Sequence, residues 1–184
     1  MNYKTYSSEG FVIGRRSFKE ADRILTLFTK TQGKIVVIAK GSRKLTSRKR
    51  GGIEIFNKIK FSAIESKNSF DILSEIEILE SFENIRKDLK KLTVAYYFCE
   101  VISKTTQEAE KHFEIYEILN KYFQELEFSK NLKQLRLNFV KEILINLGFW
   151  AFDKPMDNPD AVLENVTERQ INSSKIGKRM LRPD

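Results

Sequence analysis

Arg23-Ile-Leu-Thr-Leu-Phe-Thr29, Thr31-Gln-Gly-Lys34 and Ile35-Val-Val-Ile-Ala39 form one run that decides the fold. In the first piece Ile24, Thr26 and Phe28 face one way and Leu25 and Leu27 the other, so a strand here is apolar on both sides and is expected to be buried on both. The second piece is turn chemistry, with Gly33 free to adopt positive φ, and the third returns as a partner strand to complete a hairpin. Upstream, Phe11-Val-Ile13 passes through Gly14 into Arg15 and Arg16, which suits a first strand, Phe11 to Arg16, bent at the glycine. Downstream, Ile53, Ile55, Ile59, Phe61 and Ala63 share a face opposite Glu54, Lys58, Lys60 and Ser62, with Asn57 as the polar exception. After a turn at Ser66-Lys-Asn-Ser69, Phe70, Ile72, Ile76 and Ile78 alternate with Asp71, Glu75 and Glu77 as a fifth strand. Five strands with no helix between them predict a small closed barrel. The OB type is the commonest of these to bind nucleic acid, although an SH3-like barrel reads almost the same.

Near Phe82 the apolar period changes from two to about three and a half. Ile85, Leu89, Leu92, Ala95/Tyr96, Cys99 and Ile102 predict one helix running through Ser103. Phe113, Tyr116, Leu119 and Phe123 predict a second over about Ala109–Leu126. Leu132, Leu135, Phe139, Ile143 and Leu147 predict a third over Asn131–Leu147, ended by Gly148. Pro155 and Pro159 mark a loop over 150–160, and 161–184 reads as a weaker, mostly polar helix. The expectation is an α+β chain, with an N-terminal five-stranded OB-type β-barrel over 1–80 followed by an all-helical domain over 81–184.

Charge is distributed unevenly over these two parts. Residues 1–52 hold 13 Lys and Arg against 3 Asp and Glu, a net of +10, whereas 53–184 hold 20 against 22. Between the second hairpin strand and the fourth strand lies Gly41-Ser-Arg-Lys-Leu-Thr-Ser-Arg-Lys-Arg-Gly-Gly52, rich in charge and flexibility and in little else. A polyanion releases counterions on meeting such a patch, so nucleic acid is the leading partner. The expected phosphate contacts are Arg43, Lys44, Arg48, Lys49 and Arg50, extended by Arg15, Arg16, Lys19 and Lys40. The plainer alternative is a solvated loop whose charge serves solubility. Phe18, among these cations, is a candidate stacking platform; Phe11, Phe28, Phe56 and Phe70 are expected in the core.

Catalysis finds no support in the residues. His112, the one histidine, is expected on a helix surface without a nucleophile beside it, and Cys99 on an apolar helix face reads as a packed thiol. One Cys and one His cannot complete a zinc site, Glu75 and Glu77 alternate on a solvated strand face, and Gly51-Gly52 lacks the Lys-Ser/Thr of a phosphate loop. No catalytic residue, metal or cofactor is expected. The first ten residues lack the apolar run of a signal peptide, no segment is apolar enough for a membrane span, and a single cysteine fits a reducing compartment. A cytoplasmic, nucleoid-associated protein is expected.

The run Glu20-Ala-Asp-Arg-Ile-Leu-Thr-Leu-Phe-Thr29, with Gly33-Lys34 and then Ile38-Ala-Lys-Gly-Ser-Arg43, resembles the N-terminal domain of the bacterial RecO recombination mediators. Leu135-Arg136, Phe139, Ile143-Leu144 and Leu147-Gly148-Phe149 are similar to that family's helical segment ending in Leu-Gly-Tyr. The likeness covers about residues 8–150, with a fainter echo at Ser174–Leu181. It implies an OB domain and a helical domain that bind single- and double-stranded DNA and anneal strands coated by single-stranded DNA-binding protein. It further implies help in loading the recombinase together with RecR. The acidic tail of the single-stranded DNA-binding protein docks on the family's helical domain, and Arg136 matches a basic position there. Three features depart from the family: 149–160 has no cysteine where many members carry a four-cysteine zinc hairpin, members are usually longer, and Ile53-Glu-Ile-Phe56 stands where a Gln-Pro pair is common. Rival expectations from other classes are an RNA-binding accessory protein on the same barrel, which would favour RNA over DNA, and an interaction module whose binding is insensitive to salt.

Overall fold

The structure is a computed structural model that describes residues 4–44, 47, 49–67 and 70–167. It divides into two compact units, Met1–Ser81 with Thr106–Phe113, and Phe82–Thr105 with Glu114–Asp184.

The first unit is a closed five-stranded barrel. Its strands are β1 (Thr5–Phe18), β2 (Asp22–Thr29), β3 (Gly33–Ala39), β4 (Lys58–Ile64) and β5 (Asp71–Glu80), in the order β1-β2-β3-β5-β4. β1 is antiparallel to both β2 and β4, and β3 meets β5 in parallel at Val37↔Asp71 and Ile38↔Ile72. This is the OB-type arrangement, and it removes the SH3-like alternative. β1 is long enough to pair along its first half with β4 and along its second with β2. Its register slips between Val12 and Gly14, a bulge of the kind that lets one strand bend around a barrel. The glycine bend expected from the sequence lies here.

Val12, Leu25, Leu27, Val37, Ile59 and Phe61 fill the barrel. Ile24 and Phe28, on the other face of β2, are also buried, as its two-sided apolar pattern requires. The fourth strand is shorter than the sequence suggests: 53–56 form turns and a bend, with Phe56 at φ 78, and the strand begins at Lys58. Ile53 and Phe56 are nevertheless buried, Ile53 within the barrel core. The loop thus returns by placing a side chain inside the barrel. Asn57, 2 % exposed, donates from Nδ2 to the carbonyls of Gly51 (2.8 Å) and Gly52 (3.2 Å), which accounts for the polar exception in the strand pattern. In β5 a register slip at Ser62/Ala63 takes Ser74 out of register, its Oγ donating to the Ser62 carbonyl at 2.9 Å, and turns Leu73 into the core. Strict alternation therefore fails ahead of the slip, where Phe70, expected inside, is 39 % exposed, and Ile78, also expected inside, is 47 % exposed beside a second slip at Lys58/Ile59.

A strip from the helical part of the sequence completes this unit. Glu108 bridges to Lys34, Ala109 N donates to the Lys34 carbonyl at 2.9 Å, and Lys34 Nζ donates to the Thr106 carbonyl at 2.5 Å. A Cβ at Gly33, whose φ is +67°, would fall 1.7 Å from the Glu110 carbonyl oxygen. Only glycine fits there.

The second unit holds α1 (Glu83–Lys87), α2 (Leu89–Thr105), α3 (Phe113–Phe128, its first residue in the barrel unit), α4 (Leu132–Asn146) and α5 (Pro159–Thr167). The single helix expected from 82 to 103 is broken at Asp88. That residue is extended, and its Oδ1 accepts from Lys90 N at 2.8 Å and Lys91 N at 3.1 Å, capping a new helix. Leu89 is consequently 63 % exposed rather than on the buried face. α3 starts four residues later than its pattern suggests, because 106–112 is held by the barrel. Asn131 caps α4 through Gln134 N, and Gly148 at φ 77 follows its end. Phe98, Tyr122, Phe123 and Phe139 pack as an aromatic cluster, with Phe98 and Phe139 centroids 4.1 Å apart. α5 opens on Pro159 in the first turn, where a missing N–H costs nothing. It is the described part of the weak helix expected over 161–184, the remainder of which lies outside the described residues.

Candidate nucleic-acid interface

The β1–β2 turn and the first residues of the basic loop are sewn together by backbone groups. Gly41, at φ 66, directs its N–H to Asp22 Oδ1 at 2.8 Å, and Arg43 N donates to the Ala21 carbonyl at 2.9 Å. Arg43 Nη1 reaches the Lys19 carbonyl at 3.2 Å. Lys19, at φ 50, forms the turn, with its ammonium 5.4 Å from the Phe18 ring centroid. Onward the loop descends through successive turns, Ser47 N to Lys44 O, Arg50 N to Ser47 O and Ile53 N to Lys49 O, until Ile53 enters the barrel. Arg16, Lys19, Lys40, Arg43, Lys44 and Arg50 all have exposed side chains.

Beneath these lies a tighter group at the same rim. The β1 bulge sets Arg15 opposite Leu25, and Ser17 faces Arg23, so both arginines stand where β1 and β2 leave the barrel. Arg15 Nη1 lies 2.5 Å from Glu54 Oε1, and Arg23 Nη1 lies 4.0 Å from the same oxygen. Arg23 Nη1 is buried and has no hydrogen-bond partner among the described residues. Its pKa falls below the ordinary arginine value, first through burial and then through repulsion from Arg15, Arg43 and Arg50, with Glu54 opposing. Arg15 and Arg23 therefore share the Glu54 carboxylate, and Arg43 and Arg50 lie near enough to repel the Arg23 charge. Arg23 was not among the residues singled out by sequence, because it reads there as the start of an apolar strand; its register opposite Ser17 is what places it at the rim.

Lys49 and Arg136 fall elsewhere. Lys49 donates from Nζ to the Leu73 carbonyl of β5 at 2.5 Å, and burial pushes its ammonium below the usual lysine value. It lines a cleft of about 620 Å³ on the β4–β5 side with Lys60, Glu75 and Glu77, a wall of mixed charge. Arg48 lies outside the described residues. Arg136, expected at a partner surface, is 6 % exposed and forms a two-pronged pair with Asp160, Nη1 to Oδ1 at 2.7 Å and Nη2 to Oδ2 at 2.9 Å. Tyr97 Oη donates to the same Oδ1 at 2.7 Å, and the guanidinium lies 4.9 Å from the Tyr97 ring centroid. Burial opposes the charge on Arg136, but the Asp160 carboxylate overcomes it and holds the pKa above the ordinary value.

Of the aromatic residues, Phe11, Phe28 and Phe56 are buried, whereas Phe18 is half-buried beside the cations and Phe70 is exposed just ahead of β5. His112 precedes α3 rather than lying on it, with Nε2 3.2 Å from Glu110 Oε2. Cys99 is buried, and burial raises its thiol pKa well above the usual value. Among the described residues no cluster of His, Cys, Asp and Glu fits a metal ion, and no helix is long and apolar enough to cross a membrane.

An OB-type barrel with a cationic rim, followed in sequence by a helical unit, defines the chain as a barrel-plus-helices protein. Residues 1–82 match the family described as Recombination protein O N terminal, and residues 86–150 match Recombination protein O C terminal. The chain belongs to the RecO family of recombination and DNA repair proteins. It is 34% identical over 146 residues to the DNA repair protein RecO of Desulforudis audaxviator, covering 79% of this chain and 58% of that one. It is 34% identical over 106 residues to that of Symbiobacterium thermophilum, covering 58% and 42%. With that of Caldanaerobacter subterraneus it shares 36% over 109 residues, covering 59% and 44%. The chain spans about half the length of these curated relatives.

Proposed function

We propose that this chain binds DNA through the Arg15–Arg50 rim and anneals complementary strands during recombination and repair, without breaking or making a covalent bond. The observation that carries this reading is the cationic end of an OB-type barrel, where Arg15 and Arg23 meet at Glu54, Arg43 is bonded to the Lys19 and Ala21 carbonyls of the β1–β2 turn, and Arg16, Lys19, Lys40, Lys44 and Arg50 are exposed. Two phosphate backbones repel each other, and a rim that neutralises both at once lowers the cost of bringing their bases together. Phe18 and Phe70 supply ring faces on which unpaired bases stack. The names of the relatives support a repair role. The family resemblance supports single-stranded DNA-binding protein and RecR as partners and the recombinase as the protein loaded.

Charge reversal of Arg16, Arg43, Lys44 and Arg50 to Glu tests the reading. Binding to a labelled oligonucleotide is expected to be lost, and annealing of strands coated with single-stranded DNA-binding protein with it. In the unaltered protein, about six neutralised phosphates give a slope of log K against log salt near −5. Retained affinity in the reversed variant would exclude this rim. A strong preference for RNA of equal length would favour an RNA-binding role instead.

A further inference from the structure

The rim is not empty of anions, since it already holds one of its own. Glu54 sits in the return of the basic loop, between Gly52, where an added Cβ would fall 2.4 Å from Ile76, and Phe56, whose N–H donates to the Val12 carbonyl at 2.9 Å. With backbone fixed on both sides, its carboxylate is delivered to Arg15 and Arg23 by the fold rather than by chance. A single oxygen, Oε1, takes both approaches, at 2.5 and 4.0 Å, and among the described residues Arg23 Nη1 is left without a hydrogen bond. Two guanidinium groups, Arg15 and Arg23, thus share one carboxylate oxygen. A backbone phosphate carries the same single charge on two non-bridging oxygens, and a strand presents several in succession, so nucleic acid can give Arg15 and Arg23 an acceptor each where Glu54 offers both the same oxygen.

We propose that Glu54 is a built-in stand-in for a backbone phosphate, holding Arg15 and Arg23 in register in the free protein and giving way when nucleic acid arrives. The inference rests on the reading of the rim as the nucleic-acid site and adds how its affinity is set. The side chain is about two-fifths exposed, so it can swing outward without unfolding the loop. Because it competes for the same cations, it keeps the rim in a weaker binding state than its arginine count alone would give. Rapid release suits a protein that must let go of strands once they are paired.

The test uses the full chain and a fluorescein-labelled oligothymidylate titrated over a range of potassium chloride concentrations. Glu54→Gln keeps an acceptor oxygen and loses the charge. It is expected to bind about fivefold more tightly at low salt, with the advantage shrinking as salt screens the rim. Arg43→Gln and Arg50→Gln, measured alongside, are expected to weaken binding. If both arginine variants weaken binding while E54Q is unchanged or weaker, the stand-in is wrong and the rim survives. If neither arginine variant weakens binding, the rim itself is wrong and the inference goes with it.

Discussion

Arg136 and Asp160 lie 24 positions apart, and nothing in the sequence between them announces that they meet. A basic residue on a helix reads as a surface residue, and an acidic one beside two prolines reads as loop. In the fold they form a buried pair that ties α5 to α4, with Tyr97 of α2 closing the third side. Removing one member strands a charge in the interior. Arg136→Met is therefore expected to cost about 3–5 kcal/mol of stability in urea unfolding, and Arg136→Met with Asp160→Leu to cost less than the single change. A residue used only to dock a partner would show the opposite result, with stability kept and partner binding lost. The rim divides in a similar way at this scale. Its cationic density is legible by counting residues, but the membership of Arg23, the diversion of Lys49 to the Leu73 carbonyl and the presence of Glu54 depend on register and loop path. No local pattern encodes those.

Strands and helices were easier to read, because apolar period survives in the sequence wherever one face is buried. The β2–β3 hairpin, the five strands, α3 and α4 follow from it. Periodicity misled where a backbone hydrogen bond overrode it. Asp88 breaks one apolar stripe into α1 and α2 by capping, Ser74 interrupts the alternation of β5, and the barrel claims 106–112 from the start of α3. The turn between β2 and β3 shows how tight that last junction is. Gly33→Ala would force an L-residue to φ +67° and drive its Cβ into the Glu110 carbonyl. We expect a loss of about 2 kcal/mol or more, seen as a lower melting temperature. Gly41→Ala shares the positive φ but meets nothing within 4 Å, and is expected to lose about 1 kcal/mol. Equal losses would show that 106–113 does not press on the turn.

At the scale of the whole molecule, charge and fold are segregated together: the excess of cations lies in residues 1–52, which build most of the barrel, while the helical residues are near neutral. A fragment ending at Ser81 keeps every described cation of the rim but loses the strip that pairs with Lys34 and accepts its ammonium. It is expected to melt well below the full chain while retaining a steep salt dependence for DNA. A fragment with the melting temperature of the full chain would mean that the strip adds nothing to the barrel.

The strip also bears on how such proteins are recombined by design or by descent. A barrel whose wall includes a segment encoded between two helices cannot be moved as one contiguous cassette. A transplant that carries only the opening stretch into another relative brings a foreign seam against Gly33. Exchange is expected to succeed only when both separated pieces travel as a matched pair.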